Sequence, residues 1–220
     1  MNEPVSKTTQ ETGDAPGQQV FVVDDDDPQR DSLVWLLESH GYTVRAFSSA
    51  RDFLAVWDEN LVGCLLLDVR MPDMSGPELF EELARRHSAL PVIFITGHGD
   101  VPMAVSVLKK GAADFIEKPF SSEEMLQIIG NCLVRESEER EHRRTRADTT
   151  QRLAQLTTRE REVLELVIAG KLNKQIADVL GISIKTVEVH RARVMDKMGV
   201  STVASLIRRV VSAERQEAQG

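Results

Sequence analysis

Asp68 ends the apolar run Cys64-Leu65-Leu66-Leu67, and Asp24 and Asp25 end a second one, Val20-Phe21-Val22-Val23. A parallel sheet presents ligand-binding groups at the carboxyl ends of its strands, so acids ending two adjacent strands fall into one crevice. Three carboxylates there attract a hard divalent cation such as Mg²⁺ or Mn²⁺. Two later apolar runs end in complementary groups: Val92-Ile93-Phe94-Ile95 in Thr96, and Asp114-Phe115-Ile116-Glu117 in Lys118-Pro119. Phosphoryl transfer needs positioning and neutralisation of the equatorial oxygens, which a cation, the Lys118 ammonium and the Thr96 hydroxyl would supply around Asp68 as acceptor. One Asp after a strand is ordinarily a turn residue. Five positions converging on a single crevice carry the reading.

The elements that must hold these groups alternate. The pattern predicts strand 20–24, helix 28–40, strand 43–46, helix 50–58, strand 63–67, helix 77–87, strand 92–96, helix 101–110, strand 113–116 and a helix from 122. These are five βα units, and their near-continuous apolar strands imply a parallel sheet covered on both faces. The helix from 122 opens with a capping box, Ser121 to Glu124, and buries Met125, Ile128, Ile129 and Cys132.

From 134 to 152 the apolar stripe gives way to Glu and Arg. Glu136/Arg140 and Glu139/Arg143 stand four apart in the favourable order, so this linker is expected to prolong the helix, with a flexible coil as the alternative. The next pattern is all-helical and spans 153–211. Thr157 to Glu160 is another capping box, opening a helix with Val163, Leu164, Val167 and Ile168 on one face and stopping at Gly170. A second helix runs 173–180, Gly181-Ile182-Ser183 makes a tight turn, and a third runs 185–198. Two helices joined by a short glycine turn form a helix-turn-helix. With Val187, Val194 and Met198 inward, the opposite side of the third helix carries Lys185, Glu188, Val189, Ala192 and Arg193 toward a major groove. Glu188 can accept from cytosine N4, Arg193 can reach guanine or phosphate, and Val189 and Ala192 can meet thymine methyls. Lys174, Thr186 and His190 are placed for the DNA backbone. For Glu188 and His190, an ordinary solvated residue and a packed or capping histidine are the alternatives. A fourth helix, 202–211, carries Val203, Leu206, Ile207 and Val210 at helical spacing, more apolar surface than so small a domain needs, and is expected to help hold a dimer, with a purely core-packing helix as the alternative.

The 220 residues carry a net charge of −8 that hides an asymmetry. Residues 20–133 hold 9 Lys and Arg against 19 Asp and Glu, whereas 153–211 hold 10 against 6. The acidic half suits a metal and a basic protein surface; the basic half suits a polyanion. No apolar run nears the roughly 20 residues that span a bilayer, and residues 1–19 lack a signal-peptide core, so a cytoplasmic protein with a disordered tail at 1–19 is expected, and the chain is expected to close with a short tail at 212–220. Cys64 and Cys132 have no metal-ligand spacing and read as reduced core residues.

Residues 20–133 resemble the receiver domain of two-component signalling, through Val-Val-Asp24-Asp25, Leu-Leu-Asp68-Val-Arg-Met-Pro72-Asp-Met-Ser-Gly76, Ile-Thr96-Gly97-His98-Gly99 and Phe115-Ile-Glu-Lys118-Pro119. The resemblance implies Asp68 as phosphoacceptor, Asp24 and Asp25 as metal ligands with Asp68 and the Arg70 backbone carbonyl, and Thr96 and Lys118 as sensors of the phosphoryl oxygens. It also implies the flavodoxin-like strand order 2-1-3-4-5 and a cis Lys118-Pro119 bond. Residues 153–211 resemble the LuxR-type helix-turn-helix, through Leu156-Thr-x-Arg159-Glu160, Gly170, Asn173-Lys174-x-Ile176-Ala177, Ile182-Ser183, Thr186-Val187-x-Val189-His190 and Lys197-Met198-Gly199. Ala192 departs from that pattern, where a basic residue is common. The pair resembles the NarL/FixJ class, and Gly97 to Val105 leans toward its FixJ branch.

The expectation is therefore an α/β doubly wound five-stranded receiver followed by a four-helix helix-turn-helix domain. It would be phosphorylated on Asp68 by a sensor histidine kinase and would bind double-stranded promoter DNA, with RNA polymerase a further candidate partner. Phe115 would follow Thr96 inward as the switch aromatic, with a simple core residue as the alternative, and a phosphorylated homodimer would form through Val101, Val105 and Leu108 and through Val203, Leu206 and Ile207. Chemistry of its own would be limited to self-phosphorylation from a donor and slow self-dephosphorylation. Two rivals remain at this point: a phosphoester hydrolase using Asp68 as nucleophile, and a DNA-binding protein whose receiver serves only as a constitutive dimer module.

Overall fold

The computed structural model describes residues 17–97 and 101–217, and the chain divides into two compact units between Glu139 and Arg140. The tail expected at 1–19 lies outside the described residues up to position 16, as do His98, Gly99 and Asp100.

In the N-terminal unit, β1 (Gln19–Val23), β2 (Val44–Phe47), β3 (Gly63–Asp68), β4 (Val92–Thr96) and β5 (Asp114–Glu117) form one parallel sheet in the order β2-β1-β3-β4-β5. The helices α1 (Asp27–Ser39), α2 (Ala50–Val56), α3 (Gly76–Arg85) and α4 (Val101–Lys109) alternate with the strands, and α5 (Ser122–Ala154) follows the last one. Because strand side chains alternate between faces, β1 and β3 each feed two cores. Phe21, Val23, Leu65 and Leu67 pack with Phe53, Leu79 and Phe94 on one face; Val20, Val22, Cys64 and Leu66 pack with Leu37, Ile93, Ile116 and Ile129 on the other. All six residues of β3 are buried, which is why its sequence is unbroken apolar up to Asp68. Gly63 opens β3 at φ +133°, and a Cβ there would stand 1.7 Å from the Gln19 carbonyl oxygen, so only glycine lets β1 and β3 pair from their first residues. The Lys118-Pro119 bond is cis.

The helix α5 runs unbroken to Ala154, through the whole charged stretch. Its polar residues are not all solvated. Glu136 is buried and accepts from the Gln18 amide at 2.8 Å within the N-terminal unit, while Thr149 is buried in the C-terminal unit. There the Asp148 carboxylate takes guanidinium donors from Arg152 at 2.8 Å and Arg209 at 2.5 Å, and those two arginines donate to the Lys197 and Met198 carbonyls. Two carbonyls at the end of a helix, where the backbone ladder runs out, thereby receive side-chain donors.

The C-terminal unit comprises α6 (Thr158–Ile168), α7 (Asn173–Leu180), α8 (Ile184–Lys197) and α9 (Val203–Glu217) with the end of α5. Thr157 and Glu160 close a reciprocal capping box on α6, and Gly181 ends α7 in the left-handed conformation at φ 65°. The last helix reaches Glu217, six residues beyond the expected end, so most of the tail expected at 212–220 is helical; residues 218–220 lie outside the described residues. Leu206 and Val210 are buried with Val163, Ile176, Val187, Val194 and Met198 in the unit's own core. The excess apolar surface expected on this helix is thus largely consumed internally.

Candidate functional site

Pairing of β1 with β3 in register, Val23 opposite Leu67, brings Asp24 and Asp68 out at the same end of neighbouring strands. Both are buried. The Asp68 carboxylate is held at its two oxygens: Oδ1 receives the Lys118 ammonium at 2.5 Å, and Oδ2 accepts the Arg70 backbone N–H at 2.7 Å. Beside it opens a cavity of about 290 Å³ lined by Asp68, Val69, Arg70, Ile95, Gly97 and Lys118. Burial pushes the Asp24 carboxyl above its usual range, against the Asp26 N–H and the Gln29 amide that stabilise its charge; the Asp68 charge adds to the rise and Lys118 opposes it. Asp24, Asp68 and Lys118 therefore share one electrostatic neighbourhood.

The remaining expected groups surround this centre. Asp25 is exposed beside Asp24. Thr96 is buried at the end of β4, one residue beyond Ile95, the partner of Asp68 in the sheet, and its carbonyl accepts the Lys118 N–H at 2.7 Å. Phe115 is half-buried against the core that includes Leu67 and Phe94. The helix α3 begins at Gly76, whose N–H donates to the Val69 carbonyl at 3.0 Å and where a Cβ would stand 2.3 Å from the Asp68 carbonyl oxygen. Gly76 thus lets the backbone leaving Asp68 turn back closely into α3.

Among the described residues, no three His, Cys or acidic side chains form a ready-made metal cage. The donor chemistry still suits a hard cation. Mg²⁺ keeps several waters and typically takes one or two protein carboxylates, and here a buried Asp24 and Asp68 share a neighbourhood beside a cavity whose lining includes Arg70. Asp25 would add a third acid at the edge.

A second surface lies on α8 of the C-terminal unit. Lys185, Glu188, Val189, Ala192 and Arg193 are all exposed, while Val187, Val194 and Met198 are buried, which is the division expected from helical periodicity. Lys174 on α7 is exposed; Thr186 and His190 are half-buried. The Thr186 hydroxyl is within 2.8 Å of Ser183, which caps α8, and the His190 Nδ1 is enclosed without a hydrogen-bond partner among the described residues. Arg191 donates to Asn173 at 2.6 Å and so locks α8 to α7.

Of the dimer candidates, Val105 and Leu108 on α4 are 44% and 36% exposed. The Val101 side chain lies outside the described residues. Val203 and Ile207 are half-buried, but Leu206 is 1% exposed inside its own unit and has no surface to give a partner. The sequence reading missed Gln29, whose amide meets Asp24, and the Asp148, Arg152 and Arg209 group. Gln29 had a signal, since it lies five residues after Asp24, within reach of a strand end from the first turn of a helix.

Comparison with known proteins matches residues 20–130 to the response regulator receiver domain and residues 154–210 to the luxR family of bacterial regulatory proteins. The transcriptional regulatory protein FixJ of Azorhizobium caulinodans is 46% identical over 194 residues, covering 88% of this chain and 92% of that one. The C4-dicarboxylate transport transcriptional regulatory protein DctR of Rhodobacter capsulatus is 46% identical, over 86% and 97%. Among solved structures, the response regulator StyR superposes with a TM-score of 0.81 at 44% identity, covering 88% of this chain and 98% of that one.

Proposed function

From a chain that belongs to the NarL/FixJ class of two-component response regulators, with a receiver and a LuxR-type DNA-binding domain, we propose a switch thrown by phosphorylation of Asp68. The protein is a transcription regulator. The observation that carries the site assignment is the Asp68 carboxylate, held between the Lys118 ammonium and the Arg70 N–H at the mouth of a 290 Å³ cavity.

An Asp68 oxygen attacks the phosphorus of a phosphohistidine on a sensor kinase; the P–O bond forms as the P–N bond breaks, and the imidazole leaves with the bonding pair. A cation on Asp24, Asp25, Asp68 and the Arg70 carbonyl would neutralise charge on the phosphoryl oxygens. Lys118 passes from the free carboxylate to the new phosphoryl group, and the Thr96 hydroxyl turns to donate to one of its oxygens. Phe115 then follows into the space that Thr96 vacates, reshaping the surface that includes Val105 and Leu108. Dimers formed through that face would place two copies of α8 on promoter DNA, with Lys185, Glu188, Val189, Ala192 and Arg193 at the bases and Lys174, Thr186 and His190 nearer the phosphates. These roles set the protein in the cytoplasm beside its kinase and RNA polymerase, with no substrate turnover beyond its own aspartyl phosphate.

Incubation with acetyl phosphate and Mg²⁺ followed by intact mass measurement tests the assignment. One added phosphoryl group, absent in Asp68→Asn, is expected. Full labelling of Asp68→Asn would refute it.

A further inference from the structure

We propose that Gln29 is a positioning residue of the cation site, holding the buried Asp24 carboxylate in the orientation it presents to a divalent ion; this rests on the reading of Asp24 as a cation ligand. Gln29 is the third residue of α1, counting from the cap Asp26. In a capping box the side chain at that position reaches back to the N–H of the cap residue, as Glu78 does to Ser75 and Glu160 to Thr157. In α1 the arrangement is broken. The Asp26 N–H donates to Asp24 Oδ1 at 2.9 Å, so Gln29 has no such donor to receive. Its Nε2 donates instead to Asp24 Oδ2. Arg30 meanwhile donates to the Asp24 backbone carbonyl at 2.7 Å. The first turn of α1 therefore grips Asp24 at three oxygens, and Gln29 is the one side chain among these that touches the carboxylate.

A carboxylate with 1% exposure needs partners for its charge. Two donors, one on each oxygen, fix its plane and still leave lone pairs for an ion, since an ionised carboxylate has about four acceptor sites. An amide serves here where Glu would not, because a further negative charge would repel Asp24. Residues that orient a metal ligand from behind typically cost about 10- to 100-fold in metal affinity when removed.

The test is binding of Mn²⁺ alone to the full-length protein, read by the loss of the free-ion electron paramagnetic resonance signal. It compares wild type, Gln29→Met, which keeps the length and removes the donor, and Gln29→Ala, which is small and helix-favouring. Both variants are expected to bind Mn²⁺ about 10- to 100-fold more weakly, with wild-type melting, and to recover their phosphorylation rate from acetyl phosphate as Mn²⁺ is raised to saturation. Affinity within twofold of wild type, or tighter, in a folded variant would overturn the proposal while leaving the cation reading intact. Unchanged affinity in Asp24→Asn, or no binding by wild type, would overturn both.

Discussion

Glu160 is a buried carboxylate whose partners are strong: the Lys197 ammonium at 2.6 Å and the Thr157 N–H at 2.9 Å. Lys197 foremost, with the Thr157 N–H, holds its pKa down at about 2 from an ordinary 4.5. A folded-state value below the unfolded one means stability that is present above pH 4.5 and lost as pH falls from there toward 2. Thermal melts of the C-terminal unit are expected to drop through that window, and Glu160→Gln is expected to flatten the drop. Lys197→Met removes the charged donor and should cost about 1.5–3 kcal/mol at neutral pH. On the outer face of the same helix, Arg193→Ala and Glu188→Ala should each cost about 1–3 kcal/mol of binding and relax preference at one base position. Lys174→Ala should weaken all sequences alike and reduce the salt slope by about one. Footprinting with salt titration separates them; an unchanged sequence preference in both α8 variants would move the reading face elsewhere.

Among the elements, α3 begins packed directly against the Asp68 backbone. Gly76→Ala would drive a Cβ to 2.3 Å from the Asp68 carbonyl oxygen, and relief must come from backbone rather than from a flexible side chain. The expected cost is about 1–3 kcal/mol by denaturant unfolding, with slower labelling of Asp68; a variant as stable and as readily phosphorylated as wild type would contradict this. The elements themselves were legible because each obeys a local rule. The strand β3 is buried on both faces and so reads as unbroken apolar residues, while α6 opens with a capping box that also forms in space. What escaped depends on distant chain. Nothing local distinguishes Asp148 and Arg152 from their charged neighbours, because their role arises from Arg209, 61 residues beyond Asp148. Leu206 looked like a partner surface because the core it enters, with Val163, Val167 and Val194, exists only once α6 and α8 have packed.

The chain joins a receiver domain to a LuxR-type DNA-binding domain, and its two charge balances follow that division: 9 basic against 19 acidic residues over 20–133, 10 against 6 over 153–211. The five positions of the crevice were readable because strand ends in a parallel sheet converge by topology, whatever the loops do. For Gln29 the spacing from Asp24 shows only that the two are within reach; its role depends on the Asp26 N–H turning to Asp24 rather than to the helix's own third residue. Phosphorylation of Asp68 is expected to govern what α8 does. For a switch of this kind the coupling is typically 1–3 kcal/mol, or roughly 5- to 150-fold in affinity. The direct measurement is promoter-DNA affinity of the full-length protein, at fixed salt, with and without acetyl phosphate and Mg²⁺, for wild type and Asp68→Asn. Tightening within that range in wild type, with none in Asp68→Asn, is the expected result; equal affinities for wild type in both conditions, with Asp68 fully phosphorylated, would contradict it.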